Sequence, residues 1–257
     1  MATTSDWTGR DTLPEQFRVD WGEPIFMPPG PDVPHARRPP RVENIAAQAP
    51  LDESPVDTES RPLTAVHCTI VVVDIEGFGD YRRNNTNQVR IRRGLYGALR
   101  RAFDAAGIPW DSCWHDDRGD GVLILAPAGV PKALFADQLP DKLTDALIAH
   151  NKSHPPEEQI RLRLALHAGE VFHDEHGVTS SAVNHTFRIL DAEALKSTLA
   201  ESTGVLAIIG SSWFFEEVIR HSDWSQSNSY VAVDVSNKET LTQAWIRMVG
   251  RRRKPRG

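Results

Sequence analysis

The sequence predicts an α+β fold, a mainly antiparallel sheet with helices packed on it, and three observations carry that expectation. Val66-His67-Cys68-Thr69-Ile70-Val71-Val72-Val73 is a short β-branched run of the kind found in buried strands. Residues 160–167 alternate, with Ile160, Leu162, Leu164 and Leu166 facing one way and Arg161, Arg163 and His167 the other. That is the period of a half-buried strand. Helical and strand patterns are mixed without a regular repeat, which favours a sheet with helices covering one face.

The elements follow in order. The first strand ends at Asp74-Ile75-Glu76-Gly77-Phe78-Gly79, where the glycines mark a tight loop. Ile91, Leu95, Leu99 and Phe103 recur every four residues and predict a helix, with Arg90, Arg93, Arg100 and Arg101 on its other faces. Gly107 and Pro109 stop it. Residues 110–125 read as strand, turn and strand, the turn being Asp116-Asp117-Arg118-Gly119-Asp120-Gly121 and the second strand Val122-Leu123-Ile124-Leu125. Leu139, Leu143 and Leu147 outline a second helix. A further helix is predicted from Ala182 to Ala200, a strand over Val205–Ile209, a helix around Trp213–Arg220, and strands near 230–235 and 243–248.

Bulk properties narrow the function classes. The 257 residues carry a formal net charge of -6, with 40% hydrophobic and 25% charged residues, values of an ordinary globular protein with enough apolar material for a core. Nothing marks a generally basic nucleic-acid binder, and the basic tail at 250–257 reads as a solvated end. Cys68 and Cys113 are the only cysteines and have no metal-binding spacing, and the ten histidines do not cluster as ligands. The Met1 end lacks a basic segment followed by an apolar core, and no apolar run reaches the roughly 18 residues of a membrane helix, so a cytoplasmic protein is expected. Residues 1–62 are proline-rich and read as a largely irregular extension, although Trp7, Phe17, Trp21 and Phe26 also suit a docking arm. The folded domain is expected over 63–249.

Two aspartates carry the chemistry. Asp74 lies where a hydrophobic strand runs into a Gly-rich loop, and Asp120 in a glycine-flanked turn between strands. Carboxylates at such positions can converge on Mg²⁺, which favours one or two carboxylates plus substrate phosphates. Asn184 and Arg188 stand four apart on a predicted helix and so share a face. An arginine fork suits charge developing on a phosphoryl oxygen.

These residues, taken in order, resemble the class III adenylate and guanylate cyclases. Asp74-Ile75-Glu76-Gly77-Phe78 looks like their first metal motif and Gly119-Asp120-Gly121 like the second. Leu164-Ala165-Leu166-His167-Ala168-Gly169-Glu170-Val171 resembles the strand before their catalytic helix, and Ala182-Val183-Asn184-His185-Thr186-Phe187-Arg188 the helix itself. The resemblance covers roughly residues 64–248 and implies a ferredoxin-like core working as a head-to-tail homodimer. It implies that Asp74 and Asp120, with the Ile75 carbonyl, hold two Mg²⁺ or Mn²⁺ ions, and that the backbone from Gly77 through Phe78 to Gly79 approaches the triphosphate. Asn184 and Arg188 would come from the other protomer. The implied reaction is in-line attack of the ribose 3′-hydroxyl on the α-phosphate of a nucleoside triphosphate, expelling pyrophosphate.

The chain departs from the family where the base is read. Asp116 stands where adenylate cyclases tend to have Lys and guanylate cyclases Glu, Gly177 falls near a second base-reading position, and Arg118 is a cation where an apolar residue is usual. Asp234 lies about where a triphosphate-binding lysine is expected, with Lys238 nearby. Neither purine pattern fits, so the resemblance extends to the pyrimidine cyclases of the Pycsar anti-phage systems, whose cyclic UMP or cyclic CMP is read by a separate effector. The competing readings are a purine cyclase, a non-catalytic cyclase-like domain that binds nucleotide or a partner, and, ranked last, a metal-dependent phosphohydrolase.

Overall fold

Strand β1 (Val66–Ile75) has apolar side chains on both faces and occupies the middle of an eight-stranded sheet. In this computed structural model residues 64–250 are described, and the expectations for the extension at 1–62 and for the basic tail beyond Gly250 lie outside them. Antiparallel neighbours flank β1, β3 (Gly121–Pro127) on one side and β4 (Leu162–Asp174) on the other. Beyond β3 lies β2 (Trp114–Asp117). Beyond β4 come β6 (Leu206–Ser211), β8 (Thr240–Met248) and β7 (Val231–Asn237), while β5 (Gly177–Thr179) folds back on the far end of β4. Among the described residues only the β4–β6 pairing is parallel.

One face of the sheet carries the main core. Val71, Val73, Ile75, Val122, Ile124, Leu164 and Leu166 meet helix α1 (Asn85–Ala105) and helix α3 (Leu139–Lys152), which follows the short α2 (Ala133–Asp137). The four-residue repeats Ile91, Leu95, Leu99, Phe103 and Leu139, Leu143, Leu147 are all buried there. Each such side chain contributes about 1.5–3 kcal/mol on leaving water. Helix α1 starts at a reciprocal cap, Asn87 N donating to Asn84 Oδ1 at 2.9 Å and Asn84 N to Asn87 Oδ1 at 3.1 Å.

The other face is covered as well, which corrects the expectation of helices on one face only. Ile70, Leu123, Ala165 and Ile209 are fully buried although they point away from α1 and α3. Helix α4 (Ser181–Leu190) lies over this face: the Ala182 Cβ would be only 2.5 Å from a Cβ on Gly169, and the His185 ring sits 4.9 Å from His167. Alternation along 160–167 concealed this because Ala165 lies on the same strand face as the polar residues Arg163 and His167. The helix predicted from 182 to 200 is two helices, α4 and α5 (Glu193–Ala200), broken where Ala192 turns extended at φ -59, ψ 132. The break is stabilised from elsewhere: Asn237 Nδ2 donates to the Arg188 carbonyl at 3.2 Å, satisfying an acceptor in the last turn of α4. The helix expected at 213–220 is a single turn, Ser212–Phe214, continuing as a π-helical turn over Phe215–Ile219. No helix among the described residues is long and apolar enough to cross a membrane.

The register between β1 and β3 sets a tight contact. Asp74 pairs with Gly121, and a Cβ added at Gly121 would lie 2.1 Å from the Val73 carbonyl oxygen. Any side chain there forces the two strands apart. Gly121→Ala is therefore expected to destabilise the protein by about 1–3 kcal/mol, the usual range for overpacking. A denaturant unfolding midpoint unchanged from wild type would show that the strands do not close as described.

Candidate functional site

Asp74 is the penultimate residue of β1, inside the strand and not in the loop after it. Its neighbours in register are Gly121 on β3 and Arg163 on β4. Asp120 precedes Gly121 in a two-residue hairpin turn closed by Arg118 N donating to Gly121 O at 2.9 Å. Gly119, first of the two central residues, has φ +85, a conformation that glycine adopts without strain. Ile75 N donates to the Asp120 carbonyl at 2.9 Å, so the turn is bonded directly to the end of β1. Both carboxylate-bearing residues line one cleft of about 280 Å³.

Arg163, a residue that the sequence reading placed only on a strand face, grips Asp74. Its Nε and Nη2 donate to Oδ1 and Oδ2 at 2.8 and 2.6 Å, a bidentate fork. The pair is largely shielded, with side chains 15% and 23% exposed. Burial raises the Asp74 carboxyl above its ordinary value, the Arg163 fork opposes this, and the negative charges of Asp120 and Asp191 push it further up. The Asp120 carboxylate is exposed and has no hydrogen-bond or ion-pair partner among the described residues.

This donor set fits a divalent cation that draws most of its ligands from elsewhere. Among the described residues no group of three or more His, Cys, Asp or Glu side chains is arranged to hold a metal. Two carboxylates are what Mg²⁺ takes when substrate phosphates and water supply the rest. The Arg163 fork occupies one lone-pair direction on each Asp74 oxygen and leaves another on each. A cation between Asp74 and Asp120 would also relieve the repulsion that raises the Asp74 carboxyl.

Helix α4 and the β7–β8 hairpin supply the opposite wall. Arg188 lines the cleft, its Nη1 donating to Thr240 Oγ1 at 2.8 Å and its Nη2 to Glu239 Oε2 at 2.6 Å. Lys238 lines it too, held at φ +51 in the hairpin turn. Asp191, unremarked in the sequence, joins this wall, paired with Lys196 and accepting from Asn237 Nδ2 at 3.3 Å. Arg118 completes the lining. Its guanidinium pairs with Asp116 at 2.9 Å and lies over the Phe187 ring, 5.2 Å from the centroid.

Other residues singled out by the sequence stand apart from the cleft. Asn184 is exposed on α4 and does not line it. Gly77, at φ +62, lines a separate groove of about 360 Å³ with Glu76, Asp80, Arg82, Arg83 and Arg161. Phe78 packs against the core, and Gly79 has open space around its Cα. The Ile75 side chain is buried in the core. Gly177 begins β5 at φ +131, and Asp234 is exposed on β7. His115 and His167 are both inside strands, and burial pushes both rings down to about 4.

No protein-family model matches the chain, and no curated protein matches it in sequence. Solved structures do resemble it. The guanylyl cyclase Cya2 is 20% identical with a TM-score of 0.52, the match covering 72% of this chain and 92% of that one. An adenylate/guanylate cyclase/hydrolase from Silicibacter pomeroyi is 18% identical with a TM-score of 0.51, covering 73% and 99%. A bacterial light-regulated adenylyl cyclase is 15% identical with a TM-score of 0.51, covering 71% of this chain and 51% of its own. The chain has the fold of class III adenylyl and guanylyl cyclase domains.

Proposed function

We propose that this chain is a nucleotidyl cyclase that converts a nucleoside triphosphate to a 3′,5′-cyclic monophosphate and pyrophosphate. The observation that carries the reading is the convergence of Asp74 and Asp120 on one cleft that Arg188 and Lys238 also line. Asp74 and Asp120, with the Ile75 carbonyl, are the groups that would hold two Mg²⁺ or Mn²⁺ ions. Bound there, such ions activate the 3′-hydroxyl and stabilise charge on the transferred and leaving phosphates. The protein's own contribution is positioning and charge. Nucleophile and electrophile belong to one substrate, so holding them in line supplies most of the acceleration. Arg188 and Lys238 bring positive charge to the phosphates, and Asn184 orients the ribose. The turn at Gly77–Gly79, with open space around Gly79, leaves backbone free to approach the triphosphate.

The base is proposed to be a pyrimidine, giving cyclic UMP or cyclic CMP for a separate effector in anti-phage signalling. Asp116 is engaged by Arg118, so the group offered to the base at this end is a guanidinium, which only donates. A donor of this kind suits a ring carbonyl such as O2 of either pyrimidine. Incubating the full chain with each of the four NTPs and Mn²⁺ should give a cyclic pyrimidine nucleotide as the main product, and Asp120→Ala should lower the rate by at least about a hundredfold. Cyclic AMP or GMP as the main product would overturn the pyrimidine reading. Equal rates in wild type and Asp120→Ala on every NTP would overturn the enzyme reading.

The working unit is proposed to be a head-to-tail homodimer in which Asn184 and Arg188 serve the partner's aspartates. Arg188 sits in its own chain's cleft, held by Glu239 and Thr240, so an alternative in which it acts within its own chain also has an observation behind it. Mixing inactive Asp74→Ala and inactive Arg188→Ala proteins separates the two. A shared site restores part of the activity. No recovery in confirmed mixed dimers would assign Arg188 to its own chain.

A further inference from the structure

The turn that carries Asp120 is tied down on the side of the sheet facing away from the cleft. Asp116 and Asp117 are neighbours on β2 and point to opposite faces. Asp116 pairs with Leu123, on the α4 side, and Asp117 with Val122, whose side chain belongs to the core beneath α1. The Asp117 carboxylate gathers three donors. Gly119 N donates to Oδ1 at 2.7 Å, within the turn itself. The Tyr96 hydroxyl donates to Oδ2 at 2.9 Å, and Arg92 Nη2 donates to the same oxygen. Arg92 and Tyr96 are one helical turn apart on α1 and therefore present their donors from one face. Arg92 Nε is buried without an acceptor, so the guanidinium reaches Asp117 at the cost of an unmet donor.

Among the described residues the Asp120 side chain has no partner, and its position depends on what holds its turn. On the cleft side the hold is Ile75 N to Asp120 O. On the far side it is Asp117. We propose that Asp117 is a positioning residue: with Arg92 and Tyr96 it clamps the Arg118–Gly121 turn to α1 and so fixes where the Asp120 carboxylate meets a divalent cation shared with Asp74. The inference rests on the cyclase reading for its biological meaning but not for its test, which reads metal binding directly. Groups that orient a metal ligand from behind commonly change affinity by 10–100-fold when removed.

The test is a Mn²⁺ titration of the full chain followed by electron paramagnetic resonance, with Asp120→Ala as the reference that isolates this site and a thermal unfolding midpoint for every variant. Asp117→Asn retains an oxygen for Gly119 N but loses the charge that holds Arg92. It is expected to weaken Mn²⁺ binding by about tenfold. Tyr96→Phe removes one donor and leaves the turn's internal hydrogen bond intact, so it should weaken binding in the same direction by a smaller factor, with little change in midpoint. Arg100→Gln, which breaks the exposed Arg100–Asp111 pair of 3.2 Å elsewhere on the same helix, should leave Mn²⁺ affinity unchanged. Wild-type Mn²⁺ affinity in both Asp117→Asn and Tyr96→Phe overturns the proposal. So does an Asp117→Asn protein that unfolds while Tyr96→Phe binds as wild type, since that makes Asp117 a purely structural residue. A wild type that binds Mn²⁺ at this site yet cyclises no NTP overturns the cyclase reading and leaves the clamp to be judged by its own titration.

Discussion

The site depends on one backbone constraint, the antiparallel register that sets Asp74 opposite Gly121. The Val73 carbonyl fills the space where a side chain on Gly121 would be, and Ile75 N bonds the carbonyl of Asp120. Because side chains alternate along a strand, a slip of one residue would turn Asp74 into the core and bring Val73 or Ile75 to the cleft. The apolar residues flanking Asp74 on β1 therefore fix the chemistry: burying Val71, Val73 and Ile75 under α1 obliges Asp74 to face α4.

That obligation has an electrostatic consequence. Asp74 is drawn into a largely buried position beside Asp120 and Asp191, where burial and like charge both oppose its ionised form. Arg163 partly offsets this with a two-pronged hydrogen bond from the adjacent strand. Removing one partner of such a shielded pair leaves a charge uncompensated, which is costly. The arrangement leaves free lone pairs on Asp74 and an unengaged carboxylate on Asp120, which together suit a cation whose remaining ligands arrive with the substrate. The opposite wall is built from residues far along the chain. Asn237 donates to the Arg188 carbonyl in the last turn of α4, Lys238 follows it in the hairpin turn, and Glu239 and Thr240 hold Arg188.

Much of this was legible in the residue pattern, and the rest was not for identifiable reasons. The four-residue repeats of α1 and α3 mark a core that is buried as expected, and the alternation of Leu162, Leu164 and Leu166 gives the facing of β4 correctly. The second covered face escaped notice because Arg163 and His167 share it with Ala165 on β4, and that alternation reads as a strand with one side to solvent. The break between α4 and α5 has no glycine or proline to announce it, and the side chain that satisfies the Arg188 carbonyl there, Asn237, lies forty-nine residues further on. Arg163 was visible as a charged residue on the non-core side of a strand. Its partner is eighty-nine residues away, and only the strand register joins them. Asp117 reads as one more acidic turn residue until α1 is seen to approach it with two donors.

In the proposed cyclase, the β1–β3 register makes Asp74 and Asp120 a site for divalent cations and a nucleotide. A crystal of the protein grown with Mn²⁺ and a non-cyclisable NTP analogue tests it most directly, through the anomalous scattering of manganese. Anomalous density is expected between the Asp74 and Asp120 carboxylates, with the analogue's phosphates completing the coordination. Manganese bound elsewhere, or a nucleotide in another cleft with these two carboxylates bare, would contradict it.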